Sequence, residues 1–295
     1  MLQLNATRRS EVAVADAGRE PAASAGERAL ARRGAVRLWG AVWPRLAAVG
    51  IVLIAWQGLV WARWRPAYVL PGPLPVLRRL AAEAGAGTLF SASAVTLQRA
   101  LIGYAIALVI GTALGLAVAS VPLLRTAVGA LVAGLQSMPS VAWFPLAILL
   151  FKLSEAAILF VVVLGAAPAI ANGLIAAIDH VPPPLLRAGR VLGARRIALY
   201  RHVILPAALP GFVAGMKQGW AFAWRSLLAG ELLVIIANRP SIGVRLQFAR
   251  DFSDAAGLLS WMIVILVIGA LVEGLVFAPL QRRLLLNRGL IEAAG

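Results

Sequence analysis

Few side chains in this sequence are of a type to do chemistry, and those few are dispersed. Glu231 stands inside a long apolar run, where an ionised carboxylate is costly and usually serves a function. Arg225 precedes it by six residues, which is off its helical face at 3.6 residues per turn. The two are therefore not expected to pair within one helix. Arg225 or Lys217 would offer positive charge to a passing anion. The alternatives are pairing between helices or across a dimer, or, for Lys217, extension of the ammonium to the membrane interface. Glu273, in the last apolar run, reads as a structural partner. A second group, Ser137, Pro139, Ser140 and Trp143, is followed by Pro145. Its two prolines break a helix at membrane depth, where irregular backbone tends to line a passage; the alternative is a kink packed by its neighbours.

Several chemistries are excluded. The sequence has no HExxH, no GxSxG and no paired carboxylates on one helix face. His180 and His202 border one polar segment where Asp179 alone does not supply the further ligands a metal needs, so no metal site and no catalytic residue is expected. With no cysteine, thiolate chemistry and disulfides are absent. Neither Lys152 nor Lys217 follows a glycine, so the GxxxxGK[ST] phosphate loop is missing. The chain is not expected to be an enzyme or to bind a cofactor of its own, and ATP-driven work would need a second chain.

The elements that must carry these residues are membrane spans. Of 295 residues, 61% are hydrophobic and 14% charged, and the mean hydropathy is +0.87. Soluble domains are about 45–50% apolar and about 25% charged. An all-α polytopic membrane protein is expected, because unpaired backbone groups are too costly in lipid. About six transmembrane helices are read, near 46–62, 95–121, 126–151, 156–178, 209–236 and 258–280. The third is interrupted at Met138-Pro139-Ser140, and the second carries Gly111 and Gly115 at a spacing that permits close helix approach.

The formal net charge of +16 lies mostly on arginines between the spans. That is the positive-inside pattern of a protein embedded in lipid, not a nucleic-acid surface. An even number of spans puts both termini on one side. Placing that side in the cytosol brings the basic tail 1–44, the turn at Arg125, the loop 179–206 and the C-terminus together there. The tail reads as disordered, and 45–295 as the transmembrane domain.

The loop 179–206 is the most informative segment. From Leu185 it is amphipathic, with Leu185, Ala188 and Leu192 on one side and Arg187 and Arg190 more polar. Gly193 can break that helix, a second one with Ile197 and Val203 turns back toward the bilayer, and Pro206 opens the next span. A helix–turn–helix at the cytosolic surface results.

Aligned on Gly193, the loop resembles the EAA-x3-G-x9-I-x-LP signature of importer-type ABC transporter permeases. Val203, Leu205 and Pro206 fall on the closing positions, Ala188 on the second and Gly189 on the third, while Arg187 stands where the family has glutamate. The run from Ser137 through Ala142-Trp143-Phe144-Pro145-Leu146 is similar to the PxPxxAWxPL stretch of permeases for nitrate, sulfonates and taurine. Trp224 to Leu232, ending in Gly230-Glu231-Leu232, and the Leu70-Pro71-Gly72-Pro73 link resemble further segments of that group. The resemblance covers residues 70–283. It implies a type I ABC importer permease fold in a bacterial inner membrane, working as a homodimer. Two ATP-binding subunits would hold ATP and Mg, and an extracytoplasmic solute-binding protein would deliver cargo. Coupling to the ATPase would fall on Leu185, Leu186, Arg187, Ala188, Arg190, Leu192 and Gly193. Ser137, Pro139, Ser140, Trp143, Arg225 and Glu231 are the pathway candidates. The expected cargo is a small anion such as an alkanesulfonate, taurine or nitrate. The alternative is a neutral heterocycle such as a pyrimidine precursor. An ion-coupled secondary carrier is a further rival that lacks clear intramembrane acidic sites and repeated halves.

Overall fold

The computed structural model describes residues 43, 44 and 46–287, so nearly all of the 1–44 tail lies outside the described residues. Two compact units are present, Met1–Ala67 and Tyr68–Gly295. The first contains helix α1, Leu46–Trp61, which leaves Leu46, Ile51 and Ile54 largely exposed. At 1.5 Å per residue α1 spans about 24 Å, less than the roughly 30 Å of a bilayer core.

The second unit runs α2 (Pro73–Gly85), α3 (Thr88–Ser120), α4 (Pro122–Ser137), a 3₁₀ turn (Ser140–Trp143), α5 (Phe144–Phe151), α6 (Glu155–Asp179) and α7 (Pro183–Val191). It continues with α8 (Ile197–Leu233) and α10 (Ala255–Leu286), separated by α9 (Ile242–Asp251). No strand occurs among the described residues. Proline opens α2, α4 and α7, at a position where its missing N–H costs nothing. Ser241 and Asp254 cap α9 and α10 by accepting from Val244 N and Gly257 N.

Helices α3, α6, α8 and α10 are long and apolar enough to cross a membrane. The stretch expected as one span over 126–151 is instead two helices bent by 100° at 138–139. Met138 and Pro139 adopt extended backbone there, as a residue before proline favours. Counting that pair as one gives five candidate spans; the shorter α1 is not counted among them.

Pro206 does not open a span either, because α8 is continuous from Ile197. A π turn over Tyr200–Ile204 precedes it, closed by Leu205 N–H donating to Tyr200 O. The same device recurs in α10, where Ala278 N–H donates to Glu273 O just before Pro279. A proline ring collides with the carbonyl four residues back and leaves it without a donor. Widening that turn to an i→i+5 bond lets the helix pass the proline unbroken.

Helix α6 is the central element. It packs on α3 across Gly111, where an added Cβ would lie 2.6 Å from Ala167 O, and on α8 where a Cβ on Gly173 would lie 2.3 Å from Gly215 Cα. In lipid, helices associate through such close packing and not through a hydrophobic driving force. The C-terminal end of α6 meets the start of α4 through the Arg125–Asp179 ion pair. Tyr200 Oη donates to Ala119 O at the end of α3 (3.3 Å). This loop end of the bundle carries α7. The opposite, far end gathers the starts of α3 and α6, the end of α8, and α9.

Candidate functional site

Three groups of residues matter, one at each end and one at the bend between α4 and α5. At the loop end, α7 stops on a left-handed residue. Gly193 has φ +85°, Gly193 N–H donates to Arg190 O (3.0 Å) and Ala194 N–H to Gly189 O (2.9 Å). This paired closure satisfies the orphan carbonyls of the last turn. Gly189 is buried against α8, where a Cβ would sit 2.9 Å from both Leu199 Cδ1 and Val203 Cγ2. Leu186 joins it on a small core with Val181, Leu199, Ile204 and Ala208. Leu185, Ala188 and Leu192 therefore face outward, with Leu192 86% exposed. Arg187 and Arg190 are exposed as well. The α7 helix is thus clamped to α8 on one side and bare and apolar on the other.

At the bend, Ser140 is half-buried, and its Cβ and the Ser226 Oγ of α8 both approach Gly165 of α6. Ser137 and Pro139 are exposed, with Ser137 Oγ donating to Gly134 O (2.7 Å). Trp143 is partly buried and packs on the main apolar core. Beside the bend, Asn172 Nδ2 donates to Gln136 Oε1 (2.5 Å), joining α6 to the end of α4. Neither amide was singled out in the sequence, although both are polar residues within apolar helices. Arg225 lies on the exposed side of α8. Its Nε donates to Ala221 O (3.0 Å) and its guanidinium stacks 4.7 Å from the Phe222 ring. It forms no ion pair among the described residues.

At the far end, Glu231 is fully buried and saturated with donors. It accepts from Arg99 Nη1 (2.9 Å), Thr96 Oγ1 (2.9 Å) and Gly243 N–H (3.0 Å). The other edge of Arg99 grips Glu155 through Nε and Nη2, both at 2.7 Å. Thr96 Oγ1 also accepts from Ile242 N–H (3.0 Å), so the first turn of α9 is spent on this cluster. Arg239 lies 3.7 Å from Glu155, which leaves two guanidinium groups against two carboxylates. Of the two readings of Glu231, a pathway role and pairing between helices, the geometry supplies the second. Thr96, Arg99 and Glu155 were missed in the sequence, where Arg99 fell near the edge of an apolar run. The only signal for it was that Glu231 needed a cation. At the opposite flank of α8, Lys217 pairs with Glu273 of α10, which gives Glu273 the structural partner expected of it.

A family model for binding-protein-dependent transport system inner membrane components matches residues 107–285, which takes in the bend, the loop and Glu231, while Thr96 and Arg99 precede it. The chain belongs to that family. The taurine transport system permease protein TauC of Escherichia coli is 28% identical over 244 residues, 81% of this chain and 87% of its own. The nitrate import permease protein NrtB of Leptolyngbya laminosa is 28% identical over 195 residues, 65% and 69% of the two chains. The riboflavin transport system permease protein RibX of Chloroflexus aurantiacus is 30% identical over 215 residues, 72% and 79%. Among solved structures, a chain of the inward-facing MetNI methionine ABC transporter superposes with a TM-score of 0.56 at 21% identity. That match covers 64% of this chain and 93% of the other, a likeness of fold. The chain is the membrane-spanning permease subunit of an ABC importer, a multi-pass inner-membrane component. The clamped α7 lies within the matched residues.

Proposed function

We propose that this permease forms the translocation pathway for a small organic or inorganic anion and works as a homodimer. Two ATP-binding subunits, which hold ATP and Mg, dock at the loop end, and an extracytoplasmic solute-binding protein docks at the far end. Both termini lie in the cytosol, in keeping with the exposed Arg187, Arg190, Arg195, Arg196 and Arg201 at the loop end. The observation that carries the reading is α7. Its Leu185, Ala188 and Leu192 side is bare, while Gly189 and Leu186 lock its other side to α8. A partner pushing on that bare side moves α8, and with it Arg225 and Ser226. The α4–α5 bend packs on the same α8 and opens or closes the passage.

Cargo is argued from Arg225, a cation partway along a span with no carboxylate partner among the described residues. A charge there is costly unless it lines a polar passage. Relatives named as taurine and nitrate permeases point to cargo bearing an oxyanion group, a sulfonate in taurine and nitrate itself, which supports this reading. The riboflavin permease favours the second reading, a heterocycle. Proteoliposomes holding the permease and its ATPase, supplied with the binding protein and labelled sulfonate, nitrate or a neutral heterocycle, decide between them. Anion uptake coupled to ATP hydrolysis is expected. Uptake of the neutral heterocycle alone, unchanged in Arg225→Gln, would refute the anion assignment.

A further inference from the structure

At the far end, α2, α9 and the start of α10 enclose a cavity of about 270 Å³. That is just under the roughly 300–1,000 Å³ of small-molecule pockets. Its walls combine charge (Arg79, Glu83, Arg245, Asp254) with the aromatic faces of Phe252 and Trp261. Arg79 is shared by both carboxylates. Arg79 Nη2 lies 3.2 Å from both Glu83 Oε1 and Asp254 Oδ2. Glu83 also accepts from Thr88 Oγ1, and Asp254 Oδ1 is held by Gly257 N–H at the α10 cap (2.8 Å).

Arg245 is what remains. Its guanidinium forms no ion pair among the described residues, and its Nε is sealed from solvent without a hydrogen-bond partner. A buried N–H on a cation is costly to leave unmatched. Phe248 and Phe252 stand on the same helical face three and seven residues later, their rings 6.4 Å apart, and Phe252 is 81% exposed at the mouth. The cavity therefore offers one unmatched planar cation beneath aromatic walls.

We propose that this cavity binds a small amphiphilic oxyanion. A sulfonate, phosphate or carboxylate head sits on Arg245, and an apolar tail lies against Phe248, Phe252 and Trp261. A planar guanidinium suits such heads because it presents parallel donors to two oxygens. The site is distinct from the Arg225 region and from α7, and it stands whichever cargo the permease carries. The head can come from a soluble organic anion or from an anionic lipid at the membrane surface.

The test is calorimetric titration of the full-length protein in non-ionic detergent with benzenesulfonate, and with neutral benzenesulfonamide of the same shape. Saturable binding of the sulfonate alone is expected. It should weaken at least about tenfold, roughly 1.4 kcal/mol, in Arg245→Gln, and less in Phe252→Ala. Arg245→Gln removes no bond the protein makes, so its unfolding midpoint should match the wild type and exclude misfolding. The titration is repeated in nanodiscs of phosphatidylcholine with and without phosphatidylglycerol. Loss of sulfonate binding on adding the anionic lipid assigns the head to lipid, retention assigns it to a soluble anion, and both uphold the site. No saturable binding, or equal affinity in Arg245→Gln, overturns it. So does an Arg245→Gln variant that binds the sulfonate normally but loses stimulation by the solute-binding protein, because the cavity then receives a protein side chain.

Discussion

Arg99 Nη1 lies 2.9 Å from Glu231 Oε1, with the two side chains 4% and 0% exposed. The pair does not stand alone: the guanidinium is shared with Glu155, and the carboxylate with Thr96 and the Gly243 N–H. The start of α3, the start of α6, the end of α8 and the first turn of α9 are tied to one cluster. A charge pair buried in this way offsets its desolvation only while every partner is present. The cluster therefore acts as a rigid pin at the far end of the bundle.

Breaking the pin on one side should be severe. Arg99→Leu leaves the buried Glu231 without its cation and Glu155 with Arg239 alone, and is expected to destabilise the protein by about 3–5 kcal/mol. Glu231→Gln keeps an acceptor for Thr96 and leaves Arg99 its Glu155 contact, so its loss should be smaller, about 1–3 kcal/mol. Thermal unfolding in detergent checks both. An unchanged midpoint in Arg99→Leu would sink the assignment.

Gly243 is required by proximity. A Cβ there would lie 2.3 Å from Glu231 Cβ and 3.0 Å from its carbonyl carbon, so Gly243→Ala should cost about 1–3 kcal/mol. Gly134 is the control, since its Cβ would meet nothing within 4 Å. Gly134→Ala should be neutral or stabilise α4 by up to about 1 kcal/mol. Equal midpoints for the two variants would contradict the close packing of α9 on Glu231.

Gly193 separates backbone from side-chain effects, because a side chain there faces open space but must adopt φ +85°. Gly193→Asn, which tolerates that conformation, should transport nearly as well as the wild type. Gly193→Val carries about 1–2 kcal/mol of strain and should loosen α7, lowering cargo moved per ATP hydrolysed. The readout is that ratio in reconstituted vesicles; normal coupling in Gly193→Val would remove α7 from its assigned role.

Among the described residues Arg225 holds only the Ala221 carbonyl and the Phe222 ring, so Arg225→Gln should leave the unfolding midpoint unchanged. If Arg225 serves a passing anion, uptake should fall about tenfold, equivalent to ~1.4 kcal/mol, with partial rescue by Arg225→Lys. Full uptake in Arg225→Gln would assign the side chain to the lipid boundary instead.

How much of this was legible depended on range. The α7 helix, its stop at Gly193, the return from Ile197 and the interruption at Pro139 are local events, written in amphipathic spacing, glycine and proline. Span positions followed from runs of apolar residues, but their ends shifted. Pro206 looked like the start of a helix, and it became interior once the Tyr200–Ile204 π turn accommodated its ring. Local rules register the proline; they do not register what the preceding turn does to absorb it.

The sequence by itself determined that this chain is a helical membrane protein with a basic helix–turn–helix between two apolar spans, because hydropathy and local spacing need no partner to be read. Tertiary structure alone decided the partners of its charges. Arg99 and Glu231 are 132 residues apart, and Arg245 meets its aromatic walls through α10 as well as its own helix. In an apolar surrounding, a charge is defined by what packing brings to it. Packing brought Glu231 an arginine, a threonine and a backbone N–H, and it left Arg245 without an ion pair among the described residues.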